Sequence, residues 1–310
     1  MSDAQLSTIR VYPIKSLDGL SVETAQLGRD GGLVPDRTLA FVDSDGNYVN
    51  GKRERAIHRV RASYDTAAGT VTLESPPPER APTDTPPEPE TVSVPGLGDE
   101  VSADSSGDDS PEKSANNDSV DTDYERLAAW MSDYVGYDVS VEATEPSYPD
   151  DTAASGPTVV SAATLSTVGD WFDFDAHEVL RRFRVNLVFT RDSDDQSTPK
   201  TTQPFWEDRL YGDTDEHVVF GVGEATLEGV GPCRRCVVPT RDPDTGEPTP
   251  AFRERFVERR RATLPSFSDG PRFDGAFRLT VNTAVPRDQR GTTLRVGDPV
   301  RIEGPVSRPE

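Results

Sequence analysis

The chain reads as mainly β with a few short helices, an α+β protein, and three observations predict it. Short alternating runs of apolar and polar residues, bounded by turn residues, recur along most of the 310 positions, as half-buried strands require. Helical spacing is confined to three brief segments, and 27 prolines and 24 glycines punctuate the rest. No repeat of 20–50 residues organises the chain into a solenoid or propeller.

Ile9-Arg-Val-Tyr12 alternates and opens the series. Thr38-Leu-Ala-Phe-Val-Asp43 leads through Ser44-Asp-Gly46 into Asn47-Tyr-Val49, a hairpin by its Asp-Gly turn. Val60–Tyr64 and Thr70–Leu73 add two strands, and Thr91-Val-Ser-Val-Pro95 has the pattern of another. Leu127, Trp130, Met131 and Tyr134 fall at helical spacing, with Asp123 as cap and Gly136 as stop. A second helix begins at Ser161 and carries Leu165 and Val168. Phe183-Arg-Val-Asn-Leu-Val-Phe189 predicts a strand with Phe183, Val185 and Leu187 on one face and Arg184 and Asn186 on the other. Thr226–Val230 and Val237-Val238 flank a cysteine loop as strands. A basic helix from Pro250 to Arg261 and closing strands at Phe277–Val281 and Leu294–Val296 complete the chain.

The formal charge of −22 comes from 55 acidic residues against 33 basic ones, of which only 4 are lysine. Such a balance argues against nucleic-acid partners and against anionic membranes. Scarce lysine and abundant carboxylates fit a proteome adapted to high salt. Between Pro76 and Glu125 lie 14 acidic residues against Arg80 and Lys113, more than half of the whole excess. Gly107 to Asp121 therefore reads as a disordered acidic insertion, with a Pro-rich loop before it. No apolar run approaches the roughly 18 residues of a membrane span, and Met1-Ser-Asp-Ala-Gln5 lacks the basic and apolar regions of a signal peptide. A cytoplasmic location is the expectation.

Cys233 and Cys236, the two cysteines of the chain, sit in Gly231-Pro-Cys-Arg-Arg-Cys-Val-Val-Pro-Thr-Arg-Asp-Pro-Asp-Thr-Gly-Glu247. Thiolates are soft metal ligands and strong nucleophiles, and adjacent guanidinium groups favour the thiolate form. Several chemistries compete for the pair. A thioredoxin-like redox site wants a helix directly behind C-x-x-C, which Pro239, Pro243 and Gly246 forbid. A zinc site would have to recruit His58, His177 or His217 from scattered positions that match no zinc spacing. Two inert buried cysteines in a hairpin, or a thiolate that binds a cofactor metal, remain. Charge favours the last. Lys15, Arg37, Arg184, Arg234 and Arg235 are cations of the kind an anionic ligand needs, if the fold brings them together.

Other motifs fail on inspection. Gly46-Asn-Tyr-Val-Asn-Gly51-Lys52 imitates a phosphate loop, but Arg53 stands where a magnesium-binding hydroxyl belongs, and the context is a hairpin. Gly221-Val-Gly223 lacks the third glycine of a dinucleotide fingerprint. Two cysteines are too few for an iron–sulfur cluster without a C-x-H element.

Val11-Tyr-Pro-Ile-Lys-Ser16 with Gly19, then Pro35-Asp-Arg37, resembles the start of the MOSC N-terminal β-barrel domain. Arg182-Phe-Arg-Val-Asn-Leu187 and the cysteine stretch resemble two hallmark segments of the MOSC domain, and Gly291-Thr-Thr-Leu-Arg-Val-Gly-Asp-Pro-Val300 is similar to its last strand. The resemblance implies an N-terminal barrel domain over 1–146 and a MOSC β-barrel domain over 147–306. In architecture the chain looks like the mitochondrial amidoxime reducing component and its bacterial counterparts.

By that resemblance the cofactor is the molybdenum cofactor (Mo-molybdopterin), and Cys236 is both metal ligand and catalytic residue. Lys15, Ser16, Arg37, Ser155, Arg184, Asn186, Arg234 and Arg235 would then hold the pyranopterin and its phosphate. The implied reaction reduces an N-hydroxylated base or a related N- or S-oxide, a small-molecule substrate. Its electrons come from a separate ferredoxin or flavin reductase, since the chain reaches Glu310 without the ferredoxin-like domain some relatives append. The alternative is a sulfur carrier with a persulfide on Cys236. The family is also associated with pyridoxal phosphate, but no lysine context here supports a Schiff base, and Lys15 reads better as a phosphate contact.

Overall fold

A computed structural model describes residues 4–97, 117–143, 155–190, 203–213, 216–269 and 275–307. Its centre is a strand ring. In order around it run β10 (Leu187–Thr190), β9 (Val159–Ser161), β13 (Arg278–Ala284), β12 (Ala225–Arg234), β11 (Glu216–Val222), β15 (Pro299–Ser307) and β1 (Ala4–Val11), and β1 pairs with β10 to close it. Neighbours are antiparallel except β9 and β10, which are joined through α2 (Ala162–Asp170) and α3 (Ala176–Phe183), the crossover a parallel pair demands. β2 (Leu20–Val22) pairs with the end of β1.

β1 shows how sequence sets this arrangement. Ala4 and Leu6 are buried, and then Ile9 and Val11, so the inward phase changes parity midway. A register shift between Leu6 and Thr8 accounts for it, since one extra residue in a strand flips which side chains face the core. The strand is thereby inward-facing along its whole length and serves two neighbours.

Three apolar cores are formed among the described residues. The ring interior joins Leu6, Ile9 and Val11 to Val159, Leu187, Phe220, Leu227 and Val281. Outside the ring, α2, α3 and α4 (Phe252–Arg261) pack Leu165, Val179, Phe183 and Phe256 against Val188 and Leu279. The third core, Ile14 to Val139, lies among β4 (Leu39–Asp43), β5 (Arg61–Asp65), β6 (Thr70–Glu74), β7 (Glu90–Ser93), α1 (Asn117–Val135) and β8 (Val139–Ala143). Here β5, β6 and β7 form a meander and β4 pairs with β8. A last two-stranded sheet joins β3 (Thr24–Gln26) to β14 (Thr293–Arg295). The chain is mostly strand with four helices among the described residues. None of those helices is long and apolar enough to cross a membrane.

Several expectations need correction. α1 starts at Asn117, inside the segment expected to be disordered, while 107–116 lie outside the described residues. Asp123 is therefore well inside the helix, where its carboxylate accepts from Ser93 N at 3.0 Å and Arg126 Nη1 at 2.9 Å. Phe183 ends α3 rather than opening a strand, and Arg184 caps that helix in the left-handed conformation, φ 52° and ψ 53°. Val237-Val238 belongs to a 3-10 turn, Val238–Thr240, because Pro239 removes a strand donor. Gly136 does end α1, with φ 80° and its N–H on Ser132 O.

Candidate functional site

β12 carries the cysteines to the rim of the ring. Register shifts at Gly229/Gly231 and Pro232/Arg234 bend it, and such bulges re-aim side chains at strand ends. Beyond them Arg235 N is fixed to Phe277 O at 2.9 Å, and the chain enters the 3-10 turn. Val238 N–H donates to Cys236 Sγ at 3.5 Å, a contact that suits a sulfur bearing negative charge. Both cysteines are free thiols, half-buried.

They face a cleft of about 160 Å³. All nine residues singled out from the sequence line it: Lys15, Ser16, Arg37, Ser155, Arg184, Asn186, Arg234, Arg235 and Cys236. Three of them have positive φ without being glycine, Ser16 at 75°, Arg37 at 55° and Arg184 at 52°. That conformation is costly for a side-chain-bearing residue and persists where the surroundings enforce it. The cleft wall is where it collects.

Lys15, Arg37, Arg184 and Arg235 each have an anchor of their own. Arg184 donates to Leu17 O at 2.7 Å and lies 4.1 Å from the Tyr12 ring centre. Arg37 stands 5.4 Å from the same ring and pairs with Asp36. Lys15 lies 5.4 Å from the Tyr48 ring. Arg235 donates to Cys233 Sγ at 3.0 Å and to Phe183 O, with its guanidinium 5.3 Å from the Phe183 ring. Its Nε is buried and makes no hydrogen bond among the described residues. Asn186 is a strut as well as a wall, donating to Arg10 O and accepting from Thr158 N and Oγ1, each at 3.1 Å. Ser155 stands next to Gly156, where an added Cβ would meet Thr283 Oγ1 at 2.4 Å, so this segment lies tight on β13.

Sequence reasoning missed Lys52 and Arg182, which line the same cleft. With only 4 lysines in the chain, scarcity draws attention to Lys52 as much as to Lys15. Arg182 opens the Arg182–Leu187 stretch quoted above, but nothing in the sequence gave it a role at the site. It is 2% exposed, pairs with Glu178 at 2.7 Å and donates to Pro239 O at 3.2 Å and Arg241 O at 2.6 Å, so it ties α3 to the turn after Cys236. Lys15, Arg37, Lys52, Arg182, Arg184, Arg234 and Arg235 thus face the cleft against one carboxylate, Asp36, in a chain of charge −22. Among the described residues no three His, Cys, Asp or Glu side chains converge as a metal cage. A metal at Cys236 would need its other ligands from a cofactor.

The acidic tail of the cysteine stretch is a clasp. Asp242 Oδ1 accepts from Asp244 N and from Thr245 N and Oγ1, closing a tight turn. Arg55 then reaches Glu247 at 2.6 Å, Arg61 reaches Asp244 at 2.8 Å and Arg181 reaches Asp244 at 2.6 Å. Arg59 adds Thr245 O at 2.9 Å. Hydrogen bonds from Arg181, then its charge, hold the Asp244 carboxyl below the usual range. Nearby, burial pushes His58 down to about 4, and its ring nitrogen lies 3.3 Å from Gly51 O.

Comparison with known proteins agrees with this geometry. The description "MOSC N-terminal beta barrel domain" matches residues 3–138, and "MOSC domain" matches 158–301. A molybdenum cofactor sulfurase of Oryza sativa subsp. japonica is 34% identical over 76 residues, which are 24% of this chain and 9% of that protein. The chain thus matches only a small part of that relative's length.

Proposed function

The chain belongs to the MOSC family, with the N-terminal barrel domain ahead of the MOSC domain, and from that premise we propose that it is an oxidoreductase that holds a molybdenum cofactor. The carrying observation is the convergence on one cleft, whose wall includes Cys236, of Lys15, Lys52, Arg184, Arg234 and Arg235, together with Arg37 and Arg182, which are paired with Asp36 and Glu178. A phosphate-bearing pterin is the kind of ligand such a wall attracts, because guanidinium groups bind phosphate through paired hydrogen bonds and lysine adds a point charge. The donor set fits: one soft sulfur receiving an N–H bond, buried Arg235 Nε with hydrogen-bonding capacity to spare, and no competing protein cage among the described residues.

In this reading Cys236 ligates the metal, and Lys15, Ser16, Arg37, Ser155, Arg184, Asn186, Arg234 and Arg235 hold the pterin and its phosphate. Lys52 joins them. When bound, the cofactor supplies a metal able to exchange two electrons with an N-hydroxylated or related N- or S-oxide substrate. The protein's contribution is orientation: Arg182 fixes the turn behind Cys236, Val238 N–H tempers the sulfur, and the clasp holds the loop against the first half of the chain. A separate ferredoxin or flavin reductase delivers the electrons.

A second reading, a carrier of sulfur as a Cys236 persulfide, is favoured by the matched relative's name. One measurement separates them. Protein purified at high salt should contain molybdenum near one atom per chain together with pterin fluorescence, and Cys236→Ala should lose the metal. Labile sulfur without metal would instead establish the carrier, and neither would leave a binding protein without this chemistry.

A further inference from the structure

A smaller pocket, of about 40 Å³, lies where the first half of the chain meets the second, and six arginines line it: Arg10, Arg61, Arg181, Arg182, Arg184 and Arg241. Only Arg182 and Arg184 also line the basic cleft. Arg10 comes from near the end of β1, Arg61 from the start of β5, Arg181 from the last turn of α3 and Arg241 from the tail of the cysteine stretch. Asp18 is the one carboxylate lining this pocket. It lies 3.5 Å from Arg61 and 3.7 Å from Arg181, both of which also reach Asp244, while Arg182 pairs with Glu178. His58 adds no charge at neutral pH, because burial pushes it down to about 4.

Arg10 and Arg241 are held differently. Arg10 donates to Gly19 O at 2.8 Å, and its Nε is buried without a hydrogen bond among the described residues. Arg241 donates to Gly51 O and, at 3.4 Å, to Lys52 O. Both side chains are half-buried, and neither makes an ion pair with a carboxylate among the described residues. Positive charge withdrawn from water without a counter-charge is costly, and a small anion relieves that cost. The volume exceeds the roughly 10–15 Å³ that one water needs, so it suits a single small ion rather than a cofactor fragment.

We propose that this pocket binds one chloride ion, held by Arg10 and Arg241, and that the ion ties the tail behind Cys236 to β1. The small volume favours a monoatomic anion over larger ones. The composition points to surroundings rich in salt, where even a weak chloride site is filled and stabilises the fold that contains it. Guanidinium groups suit such a site, being less strongly hydrated than an ammonium and so more easily brought against an anion. The inference concerns an inorganic ion in a pocket of its own, and it stands apart from the cofactor reading.

Bromide substitutes for chloride and can be located by its anomalous scattering. Crystals of the full chain soaked in sodium bromide should show the ion in this pocket, and Arg241→Gln and Arg10→Gln should each cut its occupancy to roughly half or less. Solution measurements supply an independent reading. The difference in unfolding midpoint between sodium chloride and sodium gluconate, at equal sodium concentration, should fall by about 2 °C in each variant relative to wild type. Comparing that difference across proteins cancels the bulk effect of either salt. Because the two arginines come from different elements, either variant decides the question if the other does not fold. Bromide confined to the basic cleft, bromide in the pocket that the variants keep, which would be an adventitious ion only, or an unchanged midpoint difference would overturn the proposal. Neither readout involves molybdenum, so a chain found without the metal would count against the cofactor reading alone.

Discussion

At the clasp, Arg55, Arg61 and Arg181 each reach a carboxylate of the tail behind the cysteines, whereas at the cleft Arg184 and Arg235 are steadied by carbonyls, a sulfur and aromatic rings. The two groups are the same side chain in one small region, held by anchors of different chemistry, although the cleft-lining Arg37 and Arg182 also meet carboxylates, Asp36 and Glu178. A carboxylate partner cancels the guanidinium charge while it fixes the geometry. A carbonyl or a ring face fixes the geometry and leaves the charge available to a third party. The comparison teaches that an arginine count says little, and that the chemistry of each anchor decides whether a cluster is structural or receptive.

Arg182 stands between the groups, paired with Glu178 yet also donating to two loop carbonyls, and replacing it should break the site hardest. Arg182→Leu removes the tie between α3 and the turn behind Cys236 and leaves carbonyls unpaired near the core. A loss of about 3 kcal/mol in urea unfolding is expected, with weakened anion binding as a consequence. Unchanged stability would mean that the turn holds itself.

Arg184→Gln sharpens the contrast, because the cleft arginine should matter to ligand more than to fold. Affinity for inorganic pyrophosphate, measured by calorimetry, is expected to fall about tenfold, or about 1.4 kcal/mol, while the unfolding midpoint moves little. A large stability loss with unchanged affinity would place Arg184 with the structural arginines.

This distinction also marks what could be read from the chain. Cys233, Cys236 and Lys15 were legible because their types are rare here and carry specific chemistry. Strand alternation put Arg184 on a face with Asn186 and the family resemblance gave it to the site, but a left-handed helix cap is what places it there. The signal for that helix was present: Asp175 accepts from Glu178 N at 2.6 Å, and an acidic cap with Glu three residues on marks a helix start. Alternation of Phe183, Val185 and Leu187 obscured it. For α1, acidic composition argued for disorder up to Asp121, yet the apolar stripe of Leu127, Met131 and Tyr134, buried against the third core, anchors a helix that extends back to Asn117. For Arg182, which opens a stretch quoted from the sequence, the tie to the turn was illegible, since the two carbonyls 57 and 59 residues away are a matter of fold alone.

The smallest effect belongs to the clasp. Asp244 receives Arg61 and Arg181, but its side chain is 60% exposed, so solvent screens the pair and Asp244→Asn should cost less than about 1 kcal/mol at low ionic strength. Salt acts here in two opposing ways. It relieves the self-repulsion of a chain with charge −22, which stabilises wild type and variant alike, and it screens the two ion pairs of Asp244, which only wild type has. The difference between the two proteins isolates the second effect. It should shrink toward zero near 1 M salt, where the screening length is about 3 Å. A difference that survived such salt would show Asp244 acting through geometry rather than charge. Its arginines would then help to position Cys236, and the division between neutralised and available guanidinium groups would have to be redrawn.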